Sequence, residues 1–535
     1  MQSYARGPAA TIVRKSVGEA FLETVSRFSD RLAISSRHQH KQLNWSDYAV
    51  AACRVASGLR ALGLQPQDRA GVWATTCVEW VMLQFGCALA GVILVHINPA
   101  YRSSELSFVL NKSRIRALFL REHDQRADYL SILEESRAGQ SLELEHVVSF
   151  DTQWAEFLRE PDGIVCRPGP EEAASILYTS GTTGSPKGVL LTHINLLNNA
   201  RFIAQYLGLS EEDRICIPVP LFHCFGSVMG TLTAAITGAA SILPGATFDP
   251  VATLASVEAD EATVIYGVPA MFIAEMNRPE FPRFRLNSLR AGIMAGAPCP
   301  IEVMRRVVHD MHCPQMLVAY GQTESTPVIT MSHADDSLET RCTTVGCPLP
   351  ETEVRIASQD GETLDAGEQG ELLARGYMVM KGYDDEPDAT ARAVDEEGWL
   401  HTGDLAVMRP DGYFSITGRA KDMIIRGGEN ISPREIEELL HTHPDVSDVQ
   451  VIGIPDERLG EIVVAWVRLR SGATADEEEL RAHCRQKLAY FKVPQYVRFV
   501  DGYPTTLSGK VQKFKMREFE IESRGLGMLG NRPTA

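Results

Sequence analysis

Between Leu177 and Gly188 the chain reads Leu-Tyr-Thr-Ser-Gly-Thr-Thr-Gly-Ser-Pro-Lys-Gly, a dozen positions with three glycines, five Ser/Thr hydroxyls and one lysine. A glycine-rich loop of this kind can turn its backbone N–H groups onto phosphate oxygens, while the hydroxyls of Thr179, Ser180, Thr182 and Thr183 add donors. Lys187 adds a compact positive charge, and Gly181 and Gly184 let the backbone come close to a ligand. The order is not that of a Walker loop, because Lys187 is followed by Gly188 and Val189 and not by Ser or Thr. Taken alone, the same composition also describes a mobile surface loop.

Three further clusters carry polar groups suited to a nucleotide. Ala319-Tyr320-Gly321-Gln322-Thr323-Glu324 follows the apolar run Gln315–Val318 and places a ring, a hydroxyl and a carboxylate at the end of an expected strand. Trp399-Leu400-His401-Thr402-Gly403-Asp404 puts a carboxylate behind a Gly turn, an arrangement that can accept from both hydroxyls of a ribose. Pro504-Thr505-Thr506-Leu507-Ser508-Gly509-Lys510 presents a lone lysine near the C-terminus. Each alone also reads as an ordinary turn or a solvated charge.

These clusters need a scaffold. A chain of 535 residues exceeds one core, so two or more domains are expected. Short aliphatic segments alternate with helical stretches: Arg69–Ala74, Gly91–Ile97, Ala117–Leu120, His146–Ser149, Ala173–Tyr178, and again from Arg214–Val219 to Gln315–Ala319. That alternation predicts doubly wound α/β sheets. From Thr343 the pattern changes to polar strands and Gly/Asp turns, which predicts a small β-barrel-like unit. Beyond Gly418-Arg419 a compact α+β module is expected. The boundary is set at 420/421, giving an N-terminal domain of residues 1–420 and a small mobile C-terminal domain of residues 421–535. The net charge of −17 argues against a nucleic-acid surface. Eleven scattered cysteines without a Cys-x-x-Cys pair fit reduced thiols. No apolar run reaches the length of a membrane span, and a cytoplasmic location is expected.

Together the clusters, in this order, resemble the adenylate-forming superfamily of acyl-CoA synthetases, adenylation domains and luciferase-like ligases. Pro220-Leu221-Phe222-His223-Cys224-Phe225-Gly226, Met423–Ile431 and Phe491-Lys492-Val493-Pro494 are most similar to medium-chain fatty acyl-CoA synthetases. The resemblance implies an AMP-forming carboxylic acid–CoA ligase that takes ATP, Mg²⁺ and coenzyme A. It implies that Thr179–Lys187 holds the β- and γ-phosphates, Thr323 the α-phosphate, and Glu324 the Mg²⁺. Ala297, Pro298 and Tyr320 would enclose the adenine, and Asp404 and Arg419 would take the ribose. Lys510 would serve adenylation, Lys421 the hinge, His223 the gate between acyl pocket and CoA tunnel, and Gly427, Gly428 and Glu429 the pantetheine channel. Gly321 stands where acetate-specific relatives carry a pocket-closing Trp, so a longer acid is expected, walled by Phe222, Phe225, Val228, Met229, Tyr266, Val268, Phe272, Met294 and Ala295. Aryl acids, and a carrier-protein thiol in place of CoA, remain open as alternatives. A homodimer and a lysine acetyltransferase acting on Lys510 complete the expected partners.

Overall fold

Strands covered on both faces must be apolar at nearly every position, and Arg69–Trp73, Ile93–His96 and Ala117–Leu120 are buried almost throughout. They form the middle of a seven-stranded sheet with the spatial order Gly382–Tyr383, Lys187–Thr192, Ala173–Thr179, Ile93–His96, Arg69–Trp73, Ala117–Leu120, His146–Ser149. Its inner pairs are parallel, whereas the pairs that Lys187–Thr192 makes are antiparallel. The computed structural model describes residues 1–137, 143–179, 186–419, 422–426, 429–456, 458–506 and 510–526, the side chains of 429 and 430 excepted.

A nine-stranded sheet has the order Cys347–Pro348, Thr330–Met331, Gln315–Tyr320, Ala291–Ala295, Val264–Gly267, Arg214–Cys216, Ala240–Leu243, Leu32–Ser36, Lys41–Asn44. Arg214–Cys216 lies between Ala240–Leu243 and Val264–Gly267, so the strand order reverses there. In open α/β sheets the crevice at such a reversal, beyond the carboxyl ends of the strands, is where ligands bind. The helices differ in how far they are buried. Val17–Phe28 begins at a Ser16/Glu19 capping box and buries Val17, Phe21 and Thr24. Val78–Ala90 is buried at nearly every position and stops at Gly91, which takes a left-handed φ of 73°.

A third sheet has the open order Tyr4–Arg6, Thr352–Ala357, Gln369–Gly376, Leu400–Met408, Phe414–Arg419. This is what the expected barrel-like unit is: a five-stranded sheet whose described pairings follow one path. A fourth sheet runs Glu429–Ile431, Ile424–Arg426, Gly460–Leu469, Val446–Asp456, with Tyr496–Phe499 parallel to Gly460–Leu469. Its own core packs Ile436, Leu440, Val449, Val463 and Leu480.

The chain divides into two compact units. The larger holds residues 5–354 and 374–401, including the seven- and nine-stranded sheets. The smaller holds residues 1–4, 355–373 and 402–535.

Candidate active site

In the larger unit the strands on either side of the phosphate-loop sequence pair with each other. Ala173–Thr179 pairs antiparallel with Lys187–Thr192, and Thr179 faces Lys187 across the last rung. The Thr179 hydroxyl donates to the Lys187 carbonyl at 3.5 Å. Ser180, Gly181, Thr182, Thr183 and Gly184 lie outside the described residues. The strands that flank the loop are buried at Ile176, Leu177, Val189 and Leu191, so its stem is fixed by the core.

Glu324 and Thr323 sit in a 3₁₀ turn that follows the strand Gln315–Tyr320, and both are buried. Tyr320 ends that strand. Ala297 and Pro298 follow the neighbouring parallel strand Ala291–Ala295, with Ala295 opposite Ala319. Both segments therefore leave from the carboxyl edge of the sheet, the edge at which a nucleotide is expected.

One residue that sequence reasoning passed over joins these parts. Tyr383 donates its hydroxyl to Glu324 Oε1 at 2.9 Å, and the Lys187 ammonium lies 4.8 Å over the Tyr383 ring. Burial, and then the Glu324 charge, push the Tyr383 phenol far above its ordinary pKa, so it stays a donor. Its only signal in the sequence is a Gly-Tyr pair in a polar stretch, which carries no period. Beside it, Asp384 is buried against Arg69 at 2.7 Å and Ser113 at 3.3 Å.

His223 stands beyond the carboxyl end of Arg214–Cys216, at the reversal of strand order. Its Nδ1 accepts from the Phe225 N–H at 3.2 Å, which fixes the ring at the start of a π-helix, Phe225–Leu232. Segments of π-helix recur at functional sites. The Cys224 sulfur lies 3.6 Å from His223 Nδ1 and 3.9 Å from Thr323 Oγ1, so the His223 turn touches the Thr323 turn. Gly226 is obligatory here, because a Cβ would stand 2.3 Å from the Pro220 carbonyl oxygen.

The expected acyl wall divides. Phe225, Val228, Met229, Tyr266, Val268 and Ala295 share one core, and Phe225 stacks on Tyr266 at 5.8 Å. Phe272 and Met294 belong to a different core. For Met294 the reason is the two-residue period of its strand, which turns it to the face opposite Ile293 and Ala295, whereas Phe272 stands on the helix Pro269–Met276. Gly321 also departs from the simple picture of a missing plug. A Cβ there would lie 1.9 Å from the Pro327 carbonyl oxygen, so this backbone accepts no side chain.

In the smaller unit Asp404 and Arg419 face each other on paired strands, and Arg419 Nε donates to Asp404 Oδ1 at 2.7 Å. Asp404 is buried and its N–H donates to Thr402 Oγ1 at 3.1 Å, with Gly403 turning at φ 70°. Lys510 is exposed, and its carbonyl accepts from the Thr506 N–H at 2.8 Å. Its N–H also donates to the Thr506 hydroxyl at 3.1 Å. Lys421, Gly427 and Gly428 lie outside the described residues, as does the Glu429 side chain. Arg426, next to them, donates to the Phe491 carbonyl.

The chain is similar in sequence and fold to known proteins. Residues 21–384 match the AMP-binding enzyme family and residues 435–510 match the AMP-binding enzyme C-terminal domain. The chain belongs to the AMP-binding enzyme family. It is 43% identical to a putative acyl-CoA synthetase, YngI, of Bacillus subtilis (strain 168), over 96% of this chain and 98% of that protein. It is 39% identical to the mitochondrial medium-chain acyl-CoA ligase ACSF2 of Mus musculus, over 96% of this chain and 89% of that one. Among solved structures, the anthranilate CoA ligase AuaEII with anthranoyl-AMP is similar at a TM-score of 0.88 and 25% identity, covering 95% of this chain and 98% of its own. A Mycobacterium tuberculosis fatty acyl CoA synthetase is similar at 0.75 and 28% identity, covering 95% and 99%. Among the described residues no helix is long and apolar enough to cross a membrane.

Proposed function

We propose that this protein is an AMP-forming acyl-CoA ligase that activates a medium-chain fatty acid through an acyl-adenylate. The observation that carries the reading is a likeness along 96% of the chain to proteins named acyl-CoA synthetase and medium-chain acyl-CoA ligase, with every polar residue the chemistry needs still present.

The donor set fits the substrates. Lys187 and the hydroxyls around it suit the β- and γ-phosphates of ATP, and Thr323 the α-phosphate. Glu324 fits Mg²⁺ because Tyr383 engages Oε1 while, among the described residues, Oε2 carries no hydrogen bond. Bound there, the ion neutralises phosphate charge, a hard cation matched to oxygen ligands. The Asp404 carboxylate, held by Arg419, suits a ribose diol, and Ala297, Pro298 and Tyr320 the adenine.

In the first half-reaction a carboxylate oxygen attacks the α-phosphorus and pyrophosphate leaves. Negative charge gathers between the two reactants, and Lys510 supplies the cation that stabilises it. In the second, the CoA thiolate attacks the adenylate carbonyl and AMP leaves. A C-terminal domain from residue 421 turns on Lys421 between the steps, withdrawing Lys510 and bringing Gly427, Gly428 and Glu429 to the pantetheine, while His223 gates the thiol's path. The apolar wall from Phe225 to Ala295 supports an aliphatic chain, each buried CH₂ adding about 0.8 kcal/mol. We further propose a cytoplasmic enzyme that forms a homodimer and is silenced by acetylation of Lys510, which removes the charge adenylation requires.

CoA-dependent AMP release across straight-chain acids from acetate to palmitate, with benzoate and phenylacetate beside them, tests the assignment. A maximum at medium length is expected. Activity confined to the aryl acids would keep the adenylation mechanism and overturn the substrate class. Adenylate formation without a thioester would move the acceptor to a carrier protein.

A further inference from the structure

We propose that Tyr383 is a positioning residue that sets the Mg²⁺ carboxylate and parks the phosphate-loop lysine through one side chain; this rests on the reading of Glu324 as the carboxylate that holds the ion. The two groups it touches have opposite charge and separate tasks. Lys187 begins the strand that leaves the phosphate loop, and Glu324 belongs to the turn after a strand of another sheet. Tyr383 reaches both, with its ring 4.8 Å from the ammonium and its hydroxyl 2.9 Å from the carboxylate oxygen.

The segment around Tyr383 is built to hold still. Gly382–Tyr383 pairs antiparallel with Lys187–Thr192, so Tyr383 rides on the strand that carries Lys187. The Tyr383 N–H donates to the Thr390 hydroxyl at 2.9 Å, and the Asp384 N–H to the Gly188 carbonyl at 2.7 Å. The Asp384 carboxylate then anchors on Arg69 and Ser113, and the Ser113 hydroxyl also meets the Tyr178 hydroxyl at 2.7 Å. Both strands of the loop stem are thereby tied to the residues that flank Tyr383. On the other side the Met380 N–H donates to the Glu324 carbonyl at 2.8 Å. Residues 380–384 therefore strap the stem of the phosphate loop to the turn that presents Glu324.

Two consequences follow. A donor on Oε1 fixes the rotation of the carboxylate and leaves Oε2 on the side available to a cation. Losing such an outer partner typically costs roughly 10- to 100-fold in metal affinity. The ring face meanwhile keeps the Lys187 ammonium beside the loop stem, a contact worth a few-fold in affinity when half-exposed.

Calorimetric titration of ATP, once in EDTA and once with Mg²⁺, separates these effects in Tyr383→Phe, Tyr383→Leu and Glu324→Gln, each verified as folded by circular dichroism. Tyr383→Phe keeps the ring and loses the hydroxyl: metal-free ATP affinity is expected unchanged, and the gain conferred by Mg²⁺ to fall about tenfold. Tyr383→Leu is expected to lose a few-fold of the metal-free affinity as well. A Phe variant with the full Mg²⁺ gain, beside a Glu324→Gln variant that has lost it, overturns the role of the hydroxyl. Equal metal-free affinity in Phe and Leu variants overturns the role of the ring. A Glu324→Gln variant that keeps the Mg²⁺ gain overturns the parent reading of Glu324 instead.

Discussion

Gly321→Ala should cost this protein far more than one methyl group suggests. The added Cβ would stand 1.9 Å from the Pro327 carbonyl oxygen and 2.9 Å from the Ser325 hydroxyl. Ordinary contact begins near 3.4 Å, so the backbone must part by about 1.5 Å. The two sides cannot part freely. Thr326 Oγ1 donates to the Met378 carbonyl at 2.6 Å, the Ser325 hydroxyl to the Gln322 and Pro327 carbonyls, and the Ile329 N–H to the Tyr320 carbonyl at 2.8 Å. The segment that must yield contains Thr323 and Glu324, and a displacement of about 1 Å at such groups can cost on the order of 10² in rate. The strain itself should remove about 1–3 kcal/mol of stability. ATP–pyrophosphate exchange with butyrate, octanoate and laurate, together with thermal unfolding, measures both. A loss of about 10² that is equal for all three acids is expected. Near wild-type exchange with butyrate and a loss confined to the longer acids would refute this reasoning and restore Gly321 as a simple opening in the acyl pocket.

Three further outcomes are expected. Lys510→Ala should lower adenylation by about 10²–10³ while CoA thioester formation from preformed acyl-AMP stays near wild type; equal losses in both half-reactions, followed by rapid quench, would contradict the assignment. His193 accepts the Val17 N–H at 3.2 Å, and burial lowers its pKa to about 4; burial lowers that of His96 to about 3. Both are held neutral, so their stabilisation is complete above the unfolded value near 6.5 and is lost as pH falls, about 2 kcal/mol each between pH 6.5 and 5. A His96→Leu/His193→Asn variant should therefore show a flatter acid limb of apparent Tm, and an unchanged limb would argue against neutral imidazoles. Glu275 is buried, its Oε2 has no hydrogen-bond partner among the described residues, and burial raises its carboxyl well above the usual range. Its stabilisation is complete below the unfolded carboxyl value near 4.5 and is lost as pH rises from there towards the raised folded value, so Glu275→Gln should lose less apparent Tm than wild type as pH rises above 4.5. An identical loss in both proteins would mean that Glu275 is charged and paired.

Local chemistry made much of this protein readable in one dimension. The strand Ala117–Leu120 appears where an unbroken apolar run demands two-sided burial, and the phosphate loop appears as composition because Gly and hydroxyl residues act through their own backbone and side chains. The order of four such clusters along the chain was enough to indicate the family. Contacts between distant segments left no such trace. Tyr383 and Glu324 are 59 positions apart, and only the pairing of Gly382–Tyr383 with the loop strand brings the phenol to the carboxylate. Met294 reads as one more apolar wall residue until the strand register turns it to the opposite face from Ala295. Gly321 reads as an absent side chain until the return of the chain at Pro327 shows why none fits. A sequence records what each residue can do, but which groups meet depends on strand order, register and turns, and these are settled by the packing of the whole chain.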